Sequence, residues 1–582
     1  MKYSPEKSIQ IMVALLKENG INYVVASPGA TNVSFVASLQ YDPFFKIYSA
    51  PDERSAAYMA CGIAEETGKP VVITCTGATS SRNYMPGLTE AYYRKLPILA
   101  ITASQNFAFT GHLHPQFMDR SEHPRDLVTK SVHIPKVKSE AEEWECTIKI
   151  NDALAELNRN GGGPVHINYE TSYPHIKTYV DKLPYVKTIN RIDASNIIDI
   201  NLPEGKIAIF IGSHKKMSDS EIRAIDDFCR SNDAVVFCDH TSNYKGEYRV
   251  LYPIVATQEE NDDNLQPDLL IHIGEISGDY YITKKLRLSK QVWRVNPDGE
   301  MRDYFEKLTL VFEMPEKDFF EYFSNHNNPS KLNYLTKCQL NLERIRGKEM
   351  DVPYSNIYVA SKLSKKLPKN SVLHLGILNS LRAWNFFEID NSIDVYSNVG
   401  GFGIDGGVST MIGASFVHPE KLYFGVFGDL AFFYDLNCLG NRSVGNNLRI
   451  LLINNGKGTE FRNYTHTAYP LGDDADLFVA AAGHYGNKSK KLVKHYVEDL
   501  GFEYLFANNK EEFNAVCEKF VSPELNEKSI VFEVFTDSKD ESNALRVIRN
   551  LDSNSKTALK NAGVSIKKEI KYLLDKAVEL SK

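Results

Sequence analysis

The sequence has 582 residues, 43% of them hydrophobic and 24% charged, and a formal net charge of −7. At about 150 residues per domain such a chain holds three or four domains with full cores, which excludes disorder, collagen and coiled coil as the main architecture. The mild acidity, with a pI near 6.1, excludes nucleic-acid or anionic-membrane binding driven by bulk charge.

The eight cysteines include no C-x-x-C pair and no Cys/His group at zinc-finger spacing. This predicts a reduced compartment without a disulfide framework. The N-terminal stretch is an amphipathic helix pattern broken by charges, without a secretory apolar region, and no apolar run is long enough to span a membrane. A cytoplasmic protein is expected.

In chain order, strand-like runs alternate with helical patterns, the signature of α/β domains with parallel sheets. The first third has Tyr23–Ala26, a short run at Lys46–Tyr48, then Val71–Thr74, Ile98–Ile101 and Val165–Asn168, with a helix expected over Ser55–Glu66. A polar stretch, 171–201, precedes a second set: Ile207–Ile211, Ala234–Phe237, Leu269–Ile273 and Val292–Val295. Asn325–Asn333 reads as a linker edge. The last third has Val372–His374, Asp394–Ser397, Tyr423–Phe427, Arg449–Ile453 and Ile530–Val534, with a helix expected over Phe432–Arg442. Three doubly wound parallel-sheet domains follow, over 1–180, 190–335 and 350–545. Helical spacing of Ile566, Ile570, Leu573 and Ala577 predicts a helical extension over 546–582.

Three motifs carry chemistry. Gly401-Phe402-Gly403-Ile404-Asp405-Gly406 is a literal G-x-G-x-x-G, which reads as a dinucleotide loop or as a tight strand-to-helix turn. Asp429 and Asn455 stand at the ends of two strands joined by a helix-length crossover. That places a carboxylate and an amide oxygen at one sheet edge, suited to Mg2+ with phosphate oxygens, or else a helix cap and an Asn-Asn-Gly turn. Asp52-Glu53-Arg54 precedes a helix, where a carboxylate favours the helix dipole by default.

GDL at 428–430 followed by Asn454-Asn455 resembles the thiamine-diphosphate motif, with Leu430 in place of its last glycine. YSNVGGFGIDGGVSTM (396–411), GDLAFFYDLNCL (428–439), SPG (27–29), DER (52–54), TCTGATSSRNYMPGLTEA (74–91) and GPVHIN (163–168) resemble the menaquinone-pathway synthase family that joins 2-oxoglutarate to isochorismate. The resemblance covers the first and last thirds. It implies a pyrimidine-binding, a central and a diphosphate-binding domain, in a homodimer or homotetramer whose sites form between subunits. It retires the dinucleotide reading. It implies thiamine diphosphate held by Pro28, Gly29, Thr76, Asn379, Ser380, Phe402, Ile404, Gly428, Leu430, Ala431 and Phe461. It implies Mg2+ on Asp429, Asn455 and the Lys457 carbonyl. Glu53 becomes the carboxylate that hydrogen-bonds the aminopyrimidine and sets its protonation. Gln116, His112 and His114, in a loop expected to face the reacting carbon, and Glu460 are further catalytic candidates. No FAD signature is visible.

The family's substrate arginines do not carry over. Ala30-Thr31 stands for its Ser-Arg, and Val399 for the arginine of its YSN-R-G. Neither Thr nor Val supplies the bidentate pairing that a substrate carboxylate takes from arginine. The expected activity is a carboligase acting on a small-molecule 2-oxo acid donor and a carbonyl acceptor, and not the family's own synthase reaction. A simple 2-oxo acid decarboxylase, a non-catalytic homologue and a dinucleotide oxidoreductase stand behind it.

Overall fold

The computed structural model describes residues 2–77, 79–194, 196–259, 265–325, 332–484 and 489–553. The expected tail helix from Ile566 and most of the linker, 326–331, lie outside the described residues. The chain divides into two compact units, Met1–Asp199 with Pro297–Met314, and Ile200–Asn296 with Pro315–Lys582. The architecture is α/β, with three sheets built from parallel pairings.

Unit 1 holds β1 (Tyr23–Ala26), β2 (Lys46–Ser49), β3 (Val71–Cys75), β4 (Ile98–Ser104), β5 (Lys130–Ile134) and β6 (Val165–Glu170), in the order β2-β1-β3-β4-β6-β5. Every residue of β3, β4 and β6 is buried, as continuous apolar runs require when helices cover both faces of a parallel sheet. The two-residue period sorts the side chains. Val24, Val72, Leu99 and Ile167 share one core with Ile9, Met12 and Leu16 of the helix Lys7–Glu18. Val25, Ile73 and Ala100 share the other with Ala56, Ala57 and Ala60 of the helix Glu53–Thr67. Unit 1 also contains β7 (Asn190–Ile192), paired in parallel with β13 (Leu308–Phe312).

Unit 2 carries β8 (Ile207–Ile211), β9 (Val235–Cys238), β10 (Arg249–Leu251), β11 (Leu269–Ile273) and β12 (Gln291–Val295), ordered β10-β9-β8-β11-β12. Its second sheet has β14 (Val372–Leu375), β15 (Asp394–Tyr396), β16 (Tyr423–Gly428), β17 (Leu448–Asn454), β18 (Glu503–Ala507) and β19 (Ile530–Phe535), ordered β15-β14-β16-β17-β19-β18. The register pairs Gly428 with Ile453. The carboxyl ends of β16 and β17 therefore lie side by side, where parallel α/β sheets bind ligands.

The structure departs from the sequence expectations locally. The helix expected over 432–442 is a short helix, Asp429–Tyr434, followed by a 3-10 turn, Leu436–Gly440. The break falls at Asp435, whose carboxylate accepts a 3.0 Å hydrogen bond from the Ser409 N–H. Strands β5, β7, β10 and β18 carry no clear apolar run, and the apolar run of β13 adds a strand beyond those expected. β7 and β10 are three residues long, and β18 is a half-exposed edge. Among the described residues no helix is long and apolar enough to cross a membrane.

One close approach positions a site element. A Cβ on Gly87, in the helix Met85–Arg94, would lie 2.5 Å from the Ala57 Cβ and 3.1 Å from its carbonyl carbon. This lets Met85–Arg94 lie against Glu53–Thr67. Alanine would gain about 1 kcal/mol of helix propensity, but overpacking costs about 1–3 kcal/mol. Gly87→Val, which adds bulk without alanine's propensity, is expected to lower the thermal midpoint of the protein by several degrees, read by circular dichroism. An unchanged midpoint would contradict the close approach.

Candidate functional site

In unit 1 the carboxyl ends of β1, β3 and β4 converge on Thr31. Its hydroxyl lies 2.6 Å from that of Thr76, accepts from the Gly77 N–H at 3.0 Å and lies 3.3 Å from the Ala103 carbonyl. The Thr31 N–H donates to the Thr76 hydroxyl at 3.1 Å. A Cβ on Gly29 would sit 2.3 Å from the Thr76 Cβ, so only glycine fits there. Pro28 is exposed beside it.

Glu53 is the first residue of its helix. Asp52 does the capping, accepting from the N–H groups of Arg54 and Ser55 at 3.2 and 3.3 Å. Glu53 is thereby left free of the helix terminus. It is half-buried and accepts a 3.2 Å hydrogen bond from the Asn83 amide.

The loop after β4 is strained, with Leu113 and Gln116 at φ of 59° and 65°. Gln116 lines a cleft together with Thr31, Gly77, Ser104 and Arg120. His112 and His114 are exposed and do not line it; the His114 ring stacks on Phe109 at 4.0 Å. No motif in the sequence singles out Arg120, a lone cation beyond an exposed loop. Only the fold shows it buried, at 4% exposure, in this cleft.

In unit 2 Asp429 opens the short helix after β16. Its carboxylate accepts from the Gly456 N–H at 2.7 Å and from its neighbour Leu430 N–H at 2.9 Å. This ties the 428–430 turn to the 454–457 loop. Asp429 is 3% exposed and, among the described residues, no basic side chain pairs with it. Burial pushes its carboxyl up to about 7 against the two N–H donors. The Asn455 Oδ1 is buried without a partner. Asn454 is committed elsewhere, donating to Glu533 at 2.7 Å. The Lys457 side chain pairs with Asp476 at 2.6 Å, and its carbonyl accepts a long, 3.4 Å hydrogen bond from the Thr459 hydroxyl.

This donor set is one carboxylate, one orphaned amide oxygen and one carbonyl. It fits Mg2+, a hard cation that keeps phosphate oxygens among its ligands. Among the described residues no cluster of three His, Cys, Asp or Glu makes a closed metal site. Gly428 has open space where a Cβ would be. Leu430 is half-buried and Ala431 buried beside it.

Asn379 and Ser380 open the helix Asn379–Asn385, after Leu378 at φ 64°. The Asn379 amide oxygen accepts from Arg382 and from Asn463, each at 3.1 Å. Ser380 is buried, 3.4 Å from the Asn356 amide. Glu460 and Arg382 form a two-pronged ion pair at 2.9 and 3.0 Å, and Asn463 donates to Glu460 at 3.0 Å. Burial opposes the charge on Glu460, yet the guanidinium outweighs it and holds the carboxyl below its usual range. Phe461 follows, its ring 5.1 Å from that of His466.

The loop before Gly407 completes this half. Phe402 adopts φ 54°. Ile404 is 36% exposed and lines a cleft with Gly403, Gly407 and Phe427. Val399 is buried, and a Cβ on Gly278 would lie 3.0 Å from it. The two positions where the family's arginines were expected thus hold a loop-tying hydroxyl, Thr31, and an apolar packing residue.

Comparison with known proteins follows the same lines. Residues 7–123 match the family described as thiamine pyrophosphate enzyme, N-terminal TPP binding domain. The chain is similar to the 2-succinyl-5-enolpyruvyl-6-hydroxy-3-cyclohexene-1-carboxylate synthase of Bacteroides thetaiotaomicron, 32% identical over 94% of this chain and 98% of the relative. The synthases of that name from Phocaeicola vulgatus, 30% identical over the same shares, and Desulfotalea psychrophila, 26% identical over 89% and 96%, are also similar. The chain belongs to this family of synthases and is a thiamine-diphosphate-dependent enzyme.

Proposed function

We propose that the chain is a thiamine-diphosphate- and Mg2+-dependent carboligase that decarboxylates a 2-oxo acid and passes the remaining fragment to an acceptor carbonyl or alkene. The observation that carries the reading is Asp429, a buried carboxylate without a basic partner, beside the unpartnered Asn455 oxygen. A cation bound between the two would supply the missing charge.

The cofactor supplies an acyl-anion equivalent, the electron sink for loss of CO2. The chain's residues do the rest. Asp429, Asn455 and the Lys457 carbonyl would hold Mg2+ against the diphosphate. Glu53 would accept the hydrogen bond of the cofactor's pyrimidine ring and set where its proton sits. Ile404, at the rim of its cleft, would pack against the cofactor. Pro28, Gly29 and Thr76 would form the wall at the β1 and β3 ends, and Gln116 would face the substrate. The Arg382–Glu460 pair would position Asn379 and the loop of Phe461. The pyrimidine half of one subunit would meet the diphosphate half of another in a homodimer or larger assembly.

The substrates would differ from those named for the relatives. Thr31 is engaged with three strand ends and Val399 is packed on Gly278. Neither offers a cation to the carboxylate that an arginine would hold.

Three experiments test these roles. CO2 release from a panel of 2-oxo acids, with and without acceptors, is expected to be carried by Glu53, and Glu53→Gln to lower it by about a hundredfold or more. Release indifferent to that change, or none from any acid, would overturn the reading. Asp429→Ala is expected to weaken Mg2+-dependent cofactor binding by about tenfold or more, followed by intrinsic fluorescence. Glu460→Gln strands a buried guanidinium and is expected to destabilise the fold by about 3 kcal/mol, read by denaturant unfolding.

A further inference from the structure

A buried charge without a counter-charge is expensive, and native arginines are usually paired when buried. Arg382 has Glu460, Arg249 has Glu388, and Arg191 has Glu156. Arg449 caps backbone carbonyls of Asn446, Leu448 and Glu524. Arg120 is different. Its Nε donates to the Ser81 hydroxyl at 2.8 Å, and its Nη1 to the Ser104 hydroxyl at 2.6 Å and to the Asn168 amide oxygen at 3.2 Å. All three acceptors are neutral. Among the described residues no carboxylate pairs with it, and Nη2 is buried without a partner.

The surroundings sharpen the imbalance. Arg82 stands nearby and adds positive charge. His123 and His133 pack against the buried His166, and desolvation holds all three below the usual imidazole range. Arg120 lines the unit 1 cleft with Thr31, Gly77 and Gln116. Its Nη2 lies 3.5 Å, and the Gln116 carbonyl oxygen 3.1 Å, from where a Cβ on Gly77 would be.

We propose that Arg120 is the carboxylate anchor of this cleft, holding a carboxylate of the substrate through the unpartnered Nη2 beside Gly77 and Gln116. The proposal rests on the carboligase reading for its location and names the substrate class, a carboxylic acid whose charged group enters unit 1. One guanidinium, already hydrogen-bonded on two nitrogens, matches a singly charged planar carboxylate better than a phosphate dianion. It also accounts for the fate of the family's arginine at Thr31. The carboxylate is received four residues past Gln116 instead, by a cation that the buried hydroxyls and amide hold in place.

The test is binding to the whole protein with no cofactor added, so it stands apart from catalysis. Succinate and acetate are titrated as probes by calorimetry, with inorganic phosphate as the control anion. Wild type is expected to bind a carboxylate probe and to prefer it to phosphate. Arg120→Gln is expected to weaken that binding by about tenfold or more, and Arg120→Lys to restore part of it. Because Arg120→Gln can cost stability, Gly77→Ala is the second variant. It keeps the guanidinium and fills the space before Nη2, and is expected to weaken carboxylate binding likewise. In turnover, both changes are expected to raise KM for the acid more than they lower kcat. Carboxylate binding unaffected by Gly77→Ala and by a folded Arg120→Gln would overturn the proposal, as would absence of carboxylate binding or a preference for phosphate. Carboxylate binding lost in these variants, without CO2 release from any 2-oxo acid, would uphold the anchor while overturning the carboligase reading.

Discussion

The hydrogen bond from the Gly456 N–H to the Asp429 carboxylate, 2.7 Å long, is the constraint on which the diphosphate half depends. It joins the ends of two adjacent parallel strands, β16 and β17. The same contact brings the Asn455 oxygen and the Lys457 carbonyl onto one sheet edge. The carboxylate is buried at the cost of its own ionisation, which burial pushes toward neutral pH. Two N–H dipoles meet part of that cost, and a divalent cation would meet the rest. The site's geometry is therefore a property of the sheet. Strand register sets it, and side-chain choice at three positions makes use of it.

Unit 1 reaches a comparable convergence by other means. Three strand ends meet on small groups: the Gly29 Cα against Thr76, the Thr31 hydroxyl between Thr76 and Gly77, and the Ala103 carbonyl behind them. The helix Glu53–Thr67 starts beside this cluster, with Asp52 serving the helix terminus so that Glu53 need not. Non-glycine residues at positive φ recur at these loops: Gln116, Leu378 and Phe402 each flank a proposed contact with cofactor or substrate. Such strain persists where the surrounding fold over-determines it.

Charge is spent unevenly across the molecule. Most buried arginines are matched by a carboxylate or by backbone carbonyls, and the Arg382–Glu460 pair ties the helix after β14 to the loop after β17. Arg120 and Asp429 are each held by neutral acceptors or donors alone, a state that buried Asp239, Glu533 and Glu541 share among the carboxylates. The imbalance lies at the carboxyl ends of parallel strands in both cases, where α/β folds place ligands.

The sequence by itself determined the α/β class, the buried strands of the sheets and the family, because those rest on local periodicity and on motifs of adjacent residues. Asp429 with Asn455 was legible for the same reason: a strand, a crossover and a strand have one right-handed solution. Glu53 was legible only through the resemblance, since a carboxylate before a helix reads first as a cap. Short edge strands such as β10 and β18 were not legible, because the three residues of β10 are too few to show a period and the five of β18 do not alternate in burial. The tertiary structure alone decided that Glu460 is committed to Arg382, that Thr31 and Val399 are absorbed into loop and packing, and that Arg120 lies buried beside Gln116. Those facts depend on residues far apart in sequence coming within a few ångströms, and no local pattern encodes a partner that another strand supplies.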